Sequence, residues 1–284
     1  MVRARRSSAS NISNMSSNIT RAVNKWNRVL ASCFGCRPVE VAMSVPLISF
    51  SFDDAPQSAF DIGGEILNAH NVRATYYVSL GLLSSQSAIG LIASRDTLVR
   101  AVESGHELGC HTFHHHDAWN TGRAEYIASI DENQCALEDV LPGYAFRSFA
   151  YPKNGATLWV KAPLERRFEC CRGGGQSINS GSTDLNLLKA CFLDRRARVD
   201  VDFVRALIQR NAESGGWLIF AAHDISDAQR DFSCGVGFFE TVVSLAADSG
   251  AQILPVAAAC ARIRDVHTSR AMAVERDSVP SAPA

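Results

Sequence analysis

Leu47-Ile48-Ser49-Phe50-Ser51-Phe52-Asp53-Asp54 is an apolar run that ends in two adjacent acids. A run of this length and composition reads as a strand buried on both faces, the kind found in parallel sheets. No core calls for the acids. A carboxylate in apolar surroundings must be ion-paired, hydrogen-bonded or metal-bound, or it takes up a proton. The pair marks either a functional site at the carboxyl end of a strand or a solvated strand end that turns at Ala55-Pro56.

Around this strand, strand-like and helix-like segments alternate. Further strands are expected over 74–78, up to Cys110, and over 149–151, 168–171, 191–193, 217–222 and 252–255. Helices are expected over 60–69, 95–103, 126–140, and near 201–212 and 238–247. Such alternation argues an α/β fold with a parallel barrel or a doubly wound sheet. The chemistry-bearing residues then fall at the carboxyl ends of the strands, where barrel active sites are built.

Residues 105–116, Gly-His-Glu-Leu-Gly-Cys-His-Thr-Phe-His-His-His, hold five of the chain's eight histidines. His111 and His115 are four apart, so one turn or a compact loop can aim both imidazoles at a point, and Asp54 would complete a facial triad. Spacing alone leaves His111 with His114 equally open, and a solvated histidine loop is the bland alternative. A second apolar strand, 217–222, delivers His223 at its carboxyl end, followed by Asp224.

These residues resemble the polysaccharide deacetylases with the NodB homology domain, carbohydrate esterase family 4. Ser51 to Asp54 stands as that family's first motif and His111 to His115 as its second. The resemblance implies Asp53 as general base, and Asp54, His111 and His115 as ligands of a divalent metal, with zinc named first. It settles the histidine pair in favour of His115 and leaves His114 and His116 as loop residues. By the same resemblance, residues 146–155 stand for the third motif, with Arg147 steadying the catalytic Asp and a backbone N–H beside Tyr151 helping to form an oxyanion hole. This segment departs from the family pattern by one extra residue before Tyr151 and by Lys153-Asn154 before Gly155. His223 matches the general acid of the last motif. The fourth motif has no clear counterpart, and Asp194 is a candidate for orienting His223. The fold implied is a distorted (β/α)7 barrel in a single domain, covering about residues 45–264.

The expected activity is metal-dependent removal of acetyl groups from N-acetylated, or O-acetylated, oligo- or polysaccharide. Two rivals remain: an amidase of the same superfamily acting in the cytosol on small cyclic amides or ureides, and a degenerate carbohydrate-binding barrel without catalysis. The length of 284 residues, 46% hydrophobic content and formal charge of −1 fit one sizeable soluble domain. That charge balance offers nucleic acid no electrostatic footprint.

Residues 1–42 are Ser/Asn/Arg-rich, with no acid before Glu40 and no apolar run long enough for a signal sequence or a transmembrane helix. They read as a disordered basic leader, with Met43 as an alternative start, ahead of a barrel over 43–265 and a disordered tail over 266–284. Nine scattered cysteines favour a reducing, cytoplasmic setting. Cys33-x-x-Cys36 lacks a second pair, and Cys110 is expected to pack in its strand.

Overall fold

The computed structural model describes residues 23–27 and 29–277. Its centre is the opening strand, β2 (Leu47–Phe52), all six of whose residues are buried. Before it lies β1 (Pro38–Val41); after it come β3 (Thr75–Val78), β4 (Glu107–Cys110), β5 (Ser148–Ala150), β6 (Cys170–Arg172), β7 (Gly181–Asp184), β8 (Cys191–Phe192), β9 (Trp217–Ala222) and β10 (Gln252–Ile253). Seven of them form a curled parallel sheet in the order β8-β9-β2-β3-β4-β5-β6, and β10 adds to the start of β2. The fold is an α/β half-barrel of seven parallel strands; the alternation of segments left a barrel and a doubly wound sheet open, and the resemblance implied the seven-stranded barrel.

Alternation within the strands sorts the core and aims the site. Ile48, Phe50 and Phe52 join the large cluster that includes Leu218, Phe220 and Phe239. Leu47 instead joins a second cluster with Trp217, Ile219, Ala221 and Cys170, and the Trp217 indole N–H donates to Ser49 Oγ at 2.9 Å. A period of two then puts Asp53 on the side of Leu47, Ser49 and Ser51. The Asp53 N–H donates to the Ala222 carbonyl at 2.9 Å, which holds the strand end against β9.

Helices cover the other face of the sheet. Arg95–Glu103 begins at Ser94, whose Oγ accepts the Thr97 N–H, and Val201–Ser214 begins at Asp200, whose carboxylate accepts the Phe203 N–H. The second of these helices ends on Gly215 at φ +58°, where an added Cβ would lie 2.3 Å from the Met43 carbonyl oxygen.

Regular structure extends into the described parts of both ends of the chain. Within the expected leader over 1–42, residues 23–27 and 29–33 are helical, and β1 pairs antiparallel with β7, Val39 opposite Thr183. The cause lies far away in sequence. Lys161 is fully buried, and its ammonium donates to the Ala31 and Phe34 carbonyls at 2.7 Å and meets the Asp184 carboxylate at 2.5 Å. Within the expected tail over 266–284, a helix that starts at Val256 continues to Asp277. Residues 1–22, 28 and 278–284 lie outside the described residues.

A chain beginning at Met43 is therefore expected to lose stability rather than match the full chain. It would lack the β1–β7 ladder and strip two acceptors from a buried ammonium, a loss on the order of 3 kcal/mol or more. A urea midpoint equal to that of the full chain would contradict this.

Candidate active site

The carboxyl ends of β2, β4, β8 and β9 and the turn after β5 meet at a cleft of about 370 Å³ that contains Asp53, Asp54, His111, His115 and His223. The structure thus gathers five of the seven site residues read from the sequence.

Asp54, His111 and His115 converge so that one ligand atom from each lies within 4.8 Å of the others. Asp54 Oδ1 is 3.1 Å from His115 Nε2 and 3.5 Å from His111 Nε2. His111 sets its Nδ1 against the Ala150 carbonyl at 2.8 Å, which places the ring proton there and turns the Nε2 lone pair toward Asp54. Burial lowers the pKa of His111 and of His115 to about 4, so both imidazoles are neutral at physiological pH. Burial also pushes the Asp54 carboxyl above its ordinary value, and its Oδ1 has no hydrogen-bond donor. Three acceptors facing one another without a donor suit a cation between them, and two imidazoles with one carboxylate suit a transition metal.

The backbone is bent to bring them together. Asp54, Thr112 and His115 all have left-handed φ, +60°, +60° and +56°, a conformation costing about 1–2 kcal/mol for a residue with a Cβ. The His116 N–H donates to Thr112 Oγ1 at 2.8 Å and closes the histidine loop. His114 is exposed and packs on Phe113, away from the triad.

Asp53 meets a cation that sequence reading did not assign. The Arg172 guanidinium is fully buried and donates to Asp53 Oδ1. It also sits over the Tyr77 ring at 5.0 Å and the Phe192 ring at 5.4 Å. Burial by itself would raise the Asp53 carboxyl, but the charge and hydrogen bond of Arg172 hold it below the ordinary carboxylate range.

Arg147 does not take this role. It stands at the other end of β5, half exposed, with its Nε donating to Glu169 Oε1 at 2.7 Å. The signal available was an arginine closing the apolar Cys170-Cys171 strand just before Gly173-Gly174-Gly175: a buried guanidinium needs an anion.

Tyr151 is also displaced from its expected part. Its hydroxyl donates to the Asn186 carbonyl at 2.8 Å and its N–H to the Arg172 carbonyl at 3.0 Å, so both donors are engaged away from the cleft. Lys153 and Asn154, both at φ +55°, line the cleft instead.

His223 is buried, with Nδ1 2.9 Å from Asp194 Oδ2, and its backbone N–H reaches Asp194 Oδ1. Burial opposes its charge, yet Asp194 outweighs it and raises the pKa to about 9. The ring stacks on Phe192 at 5.7 Å and meets the edge of Phe232 at 5.1 Å. Asp194, named from sequence as a candidate for orienting this histidine, stands beside it.

Comparison with known proteins gives a consistent result. Residues 40–160 match the polysaccharide deacetylase family model. The peptidoglycan-N-acetylglucosamine deacetylase PgdA of Listeria monocytogenes is 33% identical over 139 residues, 49% of this chain and 27% of that protein. The chain spans about a quarter of the length of the curated relatives it matches. Among solved structures, the chitin deacetylase of Colletotrichum lindemuthianum superposes with a TM-score of 0.56 at 18% identity, covering 78% of this chain and 89% of that one. A family 4 acetyl xylan esterase of Clostridium thermocellum, in complex with a cobalt ion, gives 0.51 at 17% identity, covering 74% and 88%.

If Asp54, His111 and His115 form the metal site, replacing any one with Ala removes stoichiometric metal binding, measured by elemental analysis of the purified protein. His114→Ala retains it. Loss of metal in His114→Ala with retention in His115→Ala would reverse the assignment.

Proposed function

We propose that this protein, whose residues 40–160 match the polysaccharide deacetylase family model, hydrolyses the N-acetyl group of an acetylated amino-sugar oligomer or polymer. One observation carries the reading. Across a three-acceptor centre, the structure holds a carboxylate kept ionised by Arg172 and an imidazole kept protonated by Asp194. Two titratable groups pushed apart in opposite directions are what acid–base cleavage of an amide requires.

A divalent cation on Asp54, His111 and His115, which we propose to be zinc, would supply Lewis acidity and a lowered water pKa. Asp53 accepts the proton of the attacking water, and Arg172 fixes the carboxylate that does so. His223 gives its proton to the departing amine, which leaves poorly as an anion, and Asp194 holds the imidazole for that transfer. The turn after β5 supplies an oxyanion donor. In that turn the Asn154 and Gly155 N–H groups donate to the Tyr151 and Pro152 carbonyls, while Lys153 and Asn154 line the cleft. The products are acetate and a free amino sugar.

An intact base and acid speak against a degenerate binding barrel. Nine free cysteines, six of them buried, support action in a reducing compartment. No helix among the described residues is long and apolar enough to cross a membrane.

A screen of the metal-loaded protein against chitin oligomers, acetylxylan and small cyclic ureides tests the reading. Equimolar acetate and primary amine from chitin oligomers is the expected result. Ring opening of ureides without acetate release would transfer the site to the amidase reading.

A further inference from the structure

We infer that the substrate carries a carboxylate on the amine side of the scissile amide, and that Arg196 receives it; this rests on the deacetylase reading above. The charges around the cleft are almost all answered. Asp53 pairs with Arg172, His223 with Asp194, and Lys153 sets its ammonium 2.9 Å from Asp117. Asp54 faces the two imidazoles. Arg196 also lines the cleft, and none of the ion pairs among the described residues includes it.

The guanidinium is held by other means. Its carbon lies 4.4 Å from the centre of the Phe232 ring, while the backbone N–H of Arg196 donates to the Asp231 carbonyl at 3.1 Å and fixes the turn that carries it. A contact with a π face uses none of the guanidinium's five hydrogen-bond donors, so the fork that matches a carboxylate is kept.

Its location decides which part of the substrate it meets. Arg196 belongs to the short helical turn Arg195–Ala197 that starts at Asp194, the residue that orients His223. Phe232, which Arg196 covers, meets the His223 ring edge-on. Since His223 protonates the leaving amine, Arg196 stands beside the sugar that keeps the nitrogen rather than beside the acetyl group. A chitin-type ring offers that guanidinium only neutral acceptors, whereas a carboxylate accepts its charge-assisted pair.

The test uses the full-length, metal-loaded protein and four disaccharides: two N-acetylglucosamine units, the same with a 3-O-lactyl carboxylate on one ring, that lactyl group as its neutral amide, and a uronic acid linked to N-acetylglucosamine. The wild type is expected to favour the lactyl carboxylate over its amide by about tenfold in kcat/KM, chiefly through KM. In Arg196→Gln that ratio falls toward one, and Arg196→Lys keeps part of it. Preference for the uronate arm in place of the lactyl arm would put the carboxylate on the neighbouring ring. A wild-type ratio near one, or a ratio unmoved by Arg196→Gln, overturns the inference.

Calorimetric binding of the same pair keeps the two proposals apart. Arg196-dependent binding of the carboxylate without hydrolysis of any disaccharide would sink the deacetylase reading and leave this inference standing. Hydrolysis of all four with no preference for charge would do the reverse.

Discussion

Replacing Asp53 with Asn is expected to lower turnover about a hundredfold or more while metal content stays near the wild-type level. Asn keeps the size and most of the hydrogen bonding but cannot take a proton from water. The structure adds a second consequence. Arg172 is fully buried and keeps its charge when Asp53 loses its own, so Asp53→Asn also loses stability. The reverse change, Arg172→Gln, leaves a buried carboxylate uncompensated and is expected to cost about 3–5 kcal/mol. It also allows burial to raise the Asp53 carboxyl, which moves the acid limb of the activity profile to higher pH. Urea midpoints and kcat of the three proteins measure both effects. Arg147→Gln, at a half-exposed pair with Glu169, is the control and changes stability by no more than about 1 kcal/mol. Full activity in Arg172→Gln with loss in Arg147→Gln would restore the assignment made from sequence.

Removal of the acid is expected to be nearly as costly. His223→Ala retains metal and loses about a hundredfold or more on amides, with a milder defect on acetyl esters, because an alkoxide leaves more readily than an unprotonated amine. The pH profile of Asp194→Asn separates an oriented acid from a packing histidine. In the wild type, burial would lower the His223 pKa, but Asp194 raises it to about 9. The imidazole is therefore charged at neutral pH, and activity falls as pH rises through that value. Without the Asp194 charge, burial prevails, and the alkaline limb moves to lower pH by about two units or more. An alkaline limb that stays in place in Asp194→Asn would assign the proton donor elsewhere.

What could be read in advance depended on how local the cause was. The Leu47–Phe52 strand is visible because both faces are apolar, and the Asp54, His111 and His115 cluster because the family motifs it resembles lie within two short segments, although spacing alone leaves His114 open. The groups that set protonation states were harder to place. Arg172 is 119 positions from Asp53, and Asp194 is 29 from His223. Neither distance leaves a periodic trace, whereas Arg147 stands in the linear order that the resemblance implies. The described residues just before Met43 read as structureless for the same reason. Lys161 ties them to the barrel, its ammonium reaching the Ala31 carbonyl across 130 positions, and a polar composition carries no sign of that. Tyr151 has both of its own donors drawn inward, by the Asn186 and Arg172 carbonyls. The cleft is left to Lys153 and Asn154, the two residues that depart from the family pattern.

The most direct test is acetate release from N-acetylglucosamine oligomers, measured on one preparation as purified, after chelation, and after a divalent cation is returned. Acetate equal to the amine formed, abolished by the chelator and restored by the cation in wild type but not in His115→Ala, is the expected result. Acetate release that survives chelation, or an unchanged rate in His115→Ala, would contradict a deacetylase centred on Asp54, His111 and His115.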